Sequence, residues 1–238
     1  MNDNGFPSMF LKISGVVYLV LMGDLLLVAF TAPVWLLVFL TPLSKSWLLL
    51  AIVAPLLAPA FGAAFVTFES FVTDGSTAVV RAFVTGWGRL ARRTLPIGAA
   101  VSALGVVIVV DVIAVSGSGF GAMTVPVFVT AGVLGLVTLF TSVAIIAVRP
   151  ATGRLEALKL GLVFGVRGGL WSLVSLAAVA LFGWMLWHSP TLTLIAAPAP
   201  VLFVVWFDAR RAVAGWLEQD TPKTVARPNS RRVYAFDD

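Results

Sequence analysis

The stretch Val16–Leu40, "VVYLVLMGDLLLVAFTAPVWLLVFL", holds one charged residue, Asp24. A run of about 20 apolar residues is enough to cross the hydrocarbon core of a bilayer. Inside hydrocarbon every backbone N–H and C=O must find a partner within the protein, which leaves helices or closed barrels. Barrel strands alternate apolar and polar residues, whereas this run does not interrupt itself, so it reads as helix. Five more segments follow the same pattern: Trp47–Phe68, Pro96–Val115, Val127–Val148, Gly169–Trp187 and Thr191–Phe207. The expected fold class is all-α: a polytopic membrane protein with about six transmembrane helices in residues 1–210. Mean hydropathy is +1.03 and charged residues make up 11% of the chain, less than half the ~25% of soluble domains.

Orientation follows from the loops, because lysine and arginine collect on the cytoplasmic side. With the N-terminus inside, the inner side holds Lys12, Arg81, Arg89, Arg92, Arg93, Arg149, Arg154, Lys159 and Arg167. It also holds Arg210, Arg211, Lys223, Arg227, Arg231 and Arg232. Fifteen of the 16 basic residues then lie inside and only Lys45 outside. Both termini are expected in the cytoplasm. The pI of about 10.2 therefore reports topology, and no nucleic-acid partner is expected. Residues 211–238, ending "QDTPKTVARPNSRRVYAFDD", are polar and aperiodic, and are expected to form a disordered basic tail beside anionic lipid.

The two arginine-rich loops carry amphipathic patterns. In residues 79–93 the apolar positions Val80, Phe83, Val84, Trp87 and Leu90 recur at helical spacing, with Arg81, Thr85, Arg89 and Arg92 on the other side. Pro96 then reads as the turn into the next span. Two cytoplasmic interface helices are expected, with Arg81, Trp87, Arg89, Arg92, Arg93 and Arg167 as docking or lipid-contact residues on the anionic inner leaflet. A shift of 75 residues lays Ala82 on Ala157, Gly86 on Gly161, Arg92 on Arg167 and Leu95 on Leu170, four identities in 14 positions. That pattern suggests a parallel internal repeat.

Charge inside a span costs roughly 2.5–3.5 kcal/mol on insertion scales, so intramembrane acids are candidate sites. Asp24 lies about eight residues into the first span and Asp111 about 15 residues into the third, about 12 and 22 Å along. They are expected at different depths and not as a pair. Asp24 either lines a transport route or accepts a hydrogen bond from a neighbouring helix. Glu69 and Asp74, at the inner end of the second span, are expected to meet arginines of the two loops. Trp35, Trp47, Trp171, Trp184, Trp187 and Trp206 lie near span ends or within the last hairpin, and most of them are expected as interfacial anchors. Cysteine is absent and His188 is the single histidine, which removes disulfides, thiolate sites and multi-histidine metal sites. No nucleophile-elbow, phosphate-loop or zinc-protease motif occurs. No enzymatic activity, cofactor or metal is expected.

Several patterns together resemble the YesL-like family of bacterial integral membrane proteins, in its actinobacterial form. They are "GDLLLVAFTAP", "APAFGAAFVTF", "VVRAFVTGWGRLARRTLPIG", "VIVVDVIAV" and "AIIAVRP". The resemblance implies the bacterial cytoplasmic membrane and an accessory role beside carbohydrate uptake. The partner it implies is a sugar-transporter subunit or a second copy of the chain. It carries over no functional residue.

Overall fold

The structure, a computed structural model, describes the backbone of residues 5–115, 121–149, 152–167 and 169–220. Ten α-helices follow in order: α1 (Gly5–Phe30), α2 (Ala32–Leu40), α3 (Leu43–Val53), α4 (Leu57–Asp74), α5 (Val79–Val115), α6 (Gly121–Val148), α7 (Arg154–Arg167), α8 (Gly169–His188), α9 (Pro190–Ala196) and α10 (Pro198–Asp220). A 3-10 turn at Ala54–Leu56 joins α3 to α4, and no strand occurs among the described residues. All six apolar segments are helical.

Three stretches are long and apolar enough to cross a membrane: Lys45–Asp74, Val79–Val115 and Thr124–Val148. The pair α1–α2, bent by 70°, makes a fourth if it counts as one span. The remaining two segments are a shorter apolar helix in α8 and the broken pair α9–α10. Large apolar side chains stand exposed around the bundle, among them Leu25, Ile52, Ile113, Val127 and Leu181. An apolar surface of this extent is what a protein immersed in lipid presents.

Three sequence expectations change. The helix α5 is unbroken for 37 residues and runs through Pro96, so the arginine-rich segment is continuous with the span that follows it. Pro96 is exposed, with its ring outside the bundle. Second, the apolar face of residues 79–93 is covered by protein in part: Val80 and Val84 stay exposed, while the rest turns into the core. Val79, Phe83 and Leu90 are at most 1% exposed, and Gly86, Thr94, Ile97 and Gly98 continue the same buried stripe. Third, α10 continues to Asp220, nine residues past the expected start of the tail; residues 221–238 lie outside the described ones.

Close contacts fix the register of the antiparallel pair formed by α4 and α5. A Cβ on Gly62 would meet Leu90 at 3.1 Å, and one on Gly86 would meet Ala63 and Val66 at 3.4 Å. One on Gly98 would lie 2.9 Å from both the Pro55 carbonyl and the Ala58 side chain. Further along, the Ser102 hydroxyl donates to the Ala51 carbonyl. Paired residue numbers therefore sum to about 153, which sets Pro96 level with Leu57 instead of Phe68. The predicted second and third spans are out of step by roughly 11 residues, about 16 Å at 1.5 Å per residue. The cause is burial of a different kind. Ala58, Ala60, Ala63, Ala64, Phe65 and Phe68 of α4 are 0–2% exposed because α5, α6 and α10 surround them. Their hydrophobicity serves a protein core, and hydropathy alone does not separate that from lipid contact.

The 75-residue shift recurs in the architecture. It carries the start of α5, Val79, onto Arg154, the start of α7, and the end of α4, Asp74, to within one residue of the end of α6, Val148. The hairpin α6–α7 repeats the close approach: a Cβ on Gly161 would lie 2.9 Å from the Thr138 carbonyl, and positions 161 and 138 correspond to Gly86 and Ala63. One pair has exchanged partners. Where the first hairpin sets Gly62 against Leu90, the second sets Val137 against Gly165, 2.8 Å from where its Cβ would stand. Large and small have traded sides, with the summed volume smaller by one methylene, a modest change that a packed interface can absorb.

Candidate functional site

Because Val79, Phe83, Gly86 and Leu90 are locked against α4, the opposite side of α5 faces outward by helical geometry. Arg81, Thr85, Gly88, Arg89 and Arg92 are exposed there, and Arg93 is half-buried. No acidic side chain among the described residues pairs with Arg81, Arg89 or Arg92. Trp87, expected to contact lipid, turns inward: it is half-buried, and its ring centroid sits 5.4 Å from that of Phe30. Phe30 also meets Phe83 edge-on at 5.3 Å. The Arg167 side chain lies outside the described residues, while Arg154 and Lys159 of α7 are exposed.

At the same end of α4 the acid Glu69 pairs with Arg210 of α10 at 3.0 Å. The expected partners were arginines of the two loops; the observed one comes from the last helix. The Arg210 guanidinium also lies 5.3 Å over the ring of Trp206. Trp206 is 1% exposed and packs against Phe68 and Phe203, so it is a core residue and no interfacial anchor. Trp184 and Trp187, at 60% and 86% exposed, fit the anchor role.

Asp24 is 2% exposed, and its Oδ1 accepts a hydrogen bond from the Ala199 backbone N–H. The local sequence explains why. The helix α10 begins with "PAPV" at an interruption of the chain inside an apolar segment. The first turn of any helix has orphan N–H groups, but Pro198 and Pro200 have none to offer. Val201 donates to the Ala197 carbonyl. Ala199 is left as the single N–H of this turn in need of an acceptor, and Asp24 supplies it, with the favourable sign for a helix N-terminus. Gly23 permits the approach: a Cβ there would already stand 3.4 Å from the Ala199 side chain. The second oxygen, Oδ2, has no hydrogen-bond partner among the described residues. Asp111 is half-buried in the last turns of α5, and no contact joins it to Asp24.

A cavity of about 330 Å³ lies in the middle of the bundle. It is bounded by Leu27 and Val28 of α1, Trp35 of α2, Phe61 of α4, Val101 of α5, Leu139 of α6, Val179 of α8 and Leu202 of α10, among others. Three chain interruptions converge on it: Thr31 at the bend between α1 and α2, Ala54 in the 3-10 turn, and Pro198 at the start of α10. Asp24 is not among the lining residues. The sequence carries proline at each of these interruptions, in "TAP" at 31–33, "APLLAP" at 54–59 and "APAP" at 197–200. Proline clusters within three apolar segments were the available signal. Irregular backbone at membrane depth persists only where protein buries it or where it lines a cavity.

Among the described residues no group of three or more histidine, cysteine or carboxylate side chains is placed to hold a metal ion. Compared with protein-family models, curated proteins and solved structures, the chain matches none. The resemblance to YesL-like proteins thus rests on the quoted residues alone.

Proposed function

We propose that this chain is a non-enzymatic docking subunit of a bacterial cytoplasmic membrane, with six spans and both termini inside. The observation that carries this reading is the arginine face of α5. Arg81, Arg89 and Arg92 are exposed on a helix whose other side is fixed in the core, so the charges are held in a constant array. A fixed backbone spacing of like charges gives a partner complementarity and orientation, while each arginine side chain still loses rotamer freedom on binding. The register supports a further feature of the proposal: the lower halves of α4 and α5 extend past the bilayer as a packed cytoplasmic end. The arginines would then meet a soluble or juxtamembrane partner as well as anionic headgroups. The partner suggested by the resemblance is a carbohydrate-import permease or its ATPase.

The test is copurification of the full-length chain from its native membrane, beside the variant Arg81→Gln/Arg89→Gln/Arg92→Gln. A reproducible partner that is lost with the variant, while the variant remains folded and membrane-integrated, supports docking. A partner retained undiminished by the variant, or none in the wild type, overturns it. A transporter with Asp24 on its route draws little support from the geometry, since the carboxylate caps α10 and stays off the cavity wall.

A further inference from the structure

We propose that the central cavity is a binding site for one acyl chain of a membrane phospholipid. This goes beyond the docking role and does not depend on it. The occupant follows from what the walls can and cannot offer. No charged residue lines the cavity. Its side-chain polar atoms are already used within the protein: the Thr31 hydroxyl donates to the Leu27 carbonyl at 2.6 Å and accepts from Trp35 Nε1 at 2.8 Å. The Ser102 hydroxyl is taken by the Ala51 carbonyl. A water molecule needs two to four polar partners, and an apolar cavity without them stays dry. A polar substrate would fare worse, because its own groups would be desolvated without compensation.

Because the pocket is partly open, whatever surrounds the bundle fills it, and apolar wall atoms gain dispersion contacts from an apolar occupant. The volume of 330 Å³ lies at the lower end of the roughly 300–1,000 Å³ of ligand pockets, room for one hydrocarbon chain and no headgroup. The exposed apolar side chains around the bundle, such as Ile52, Val107, Ile113 and Leu181, put the cavity inside a hydrocarbon solvent whose molecules are acyl chains. The pocket is partly open rather than sealed, so a chain from the surrounding hydrocarbon can enter it.

The experiment uses the full-length protein, delipidated in detergent and titrated with dioleoyl phosphatidylglycerol, with retained lipid read by native mass spectrometry. One phospholipid per chain is expected to survive detergent exchange. The cavity-filling variants Val179→Phe and Val101→Phe should weaken that retention by about tenfold, a difference of about 1.4 kcal/mol. Val107→Phe, at a lipid-facing position 54% exposed, should leave it unchanged. Retention by both filling variants equal to wild type, or none in the wild type, overturns the proposal. If neither filling variant folds, the wild type decides: chain-brominated phosphatidylglycerol should saturably quench the fluorescence that disappears in Trp35→Phe. Absence of saturable quenching rejects the site.

Discussion

Asp24 shows how a single acid in an apolar helix acquires a structural role. A carboxylate in hydrocarbon is costly, yet it meets the one N–H that the sequence "PAPV" leaves without a partner at the start of α10. Asparagine keeps an oxygen that can accept the same bond, so Asp24→Asn should change stability by no more than about 1 kcal/mol. Alanine leaves the Ala199 N–H unsatisfied, and Asp24→Ala should cost about 1–3 kcal/mol. Thermal unfolding in detergent measures both; an Asn variant as damaged as the Ala variant would show that charge, and not capping, is what the site requires. The residue itself was legible in the sequence as an isolated acid in an apolar run. Its partner was not, because Ala199 contributes a backbone group from 175 residues away, and nothing in side-chain chemistry marks it.

At the scale of elements, the two hairpins α4–α5 and α6–α7 are built on the same close approach, with Gly86 and Gly161 at equivalent positions. The exchanged pair gives a direct test. Gly165→Leu alone places a large side chain against Val137 and should destabilise by about 1–3 kcal/mol. Adding Val137→Gly recreates the Gly62–Leu90 arrangement of the first hairpin and should recover at least about 1 kcal/mol of that loss in a double-mutant cycle. Strictly additive effects would mean that the two hairpins do not share a packing plan. Likewise Gly98→Ala brings a methyl group to 2.9 Å from the Pro55 carbonyl, and should cost about 1–3 kcal/mol by forcing α5 away from α4. The helices themselves were readable from apolar runs. Their breaks were only partly so, since Pro96 sits inside an unbroken helix while Pro33 and Pro198 follow real interruptions. An exposed proline costs one backbone bond that neighbouring structure can absorb, and which prolines end a helix is decided by packing around them.

At the scale of the whole molecule, an all-helical chain with several long apolar helices was legible in the sequence, and the depth of each segment was not. Hydropathy treats "APAFGAAFVTF" in α4 like any lipid-facing run, although Ala63, Phe65 and Phe68 face other helices at 0–2% exposure. Under the proposed function the arginine-bearing half of α5 stands clear of the bilayer on the cytoplasmic side. The chain contains no cysteine, so single cysteines report position without background. The decisive measurement is labelling by a membrane-impermeant maleimide, applied from each side of sealed vesicles, along exposed positions 81, 85, 89, 92, 107 and 113. Labelling is expected at Arg81→Cys, Thr85→Cys, Arg89→Cys and Arg92→Cys from the cytoplasmic side only, and protection at Val107→Cys and Ile113→Cys. Protection beginning at Thr85, or labelling of the arginine positions from the opposite side, would contradict that placement.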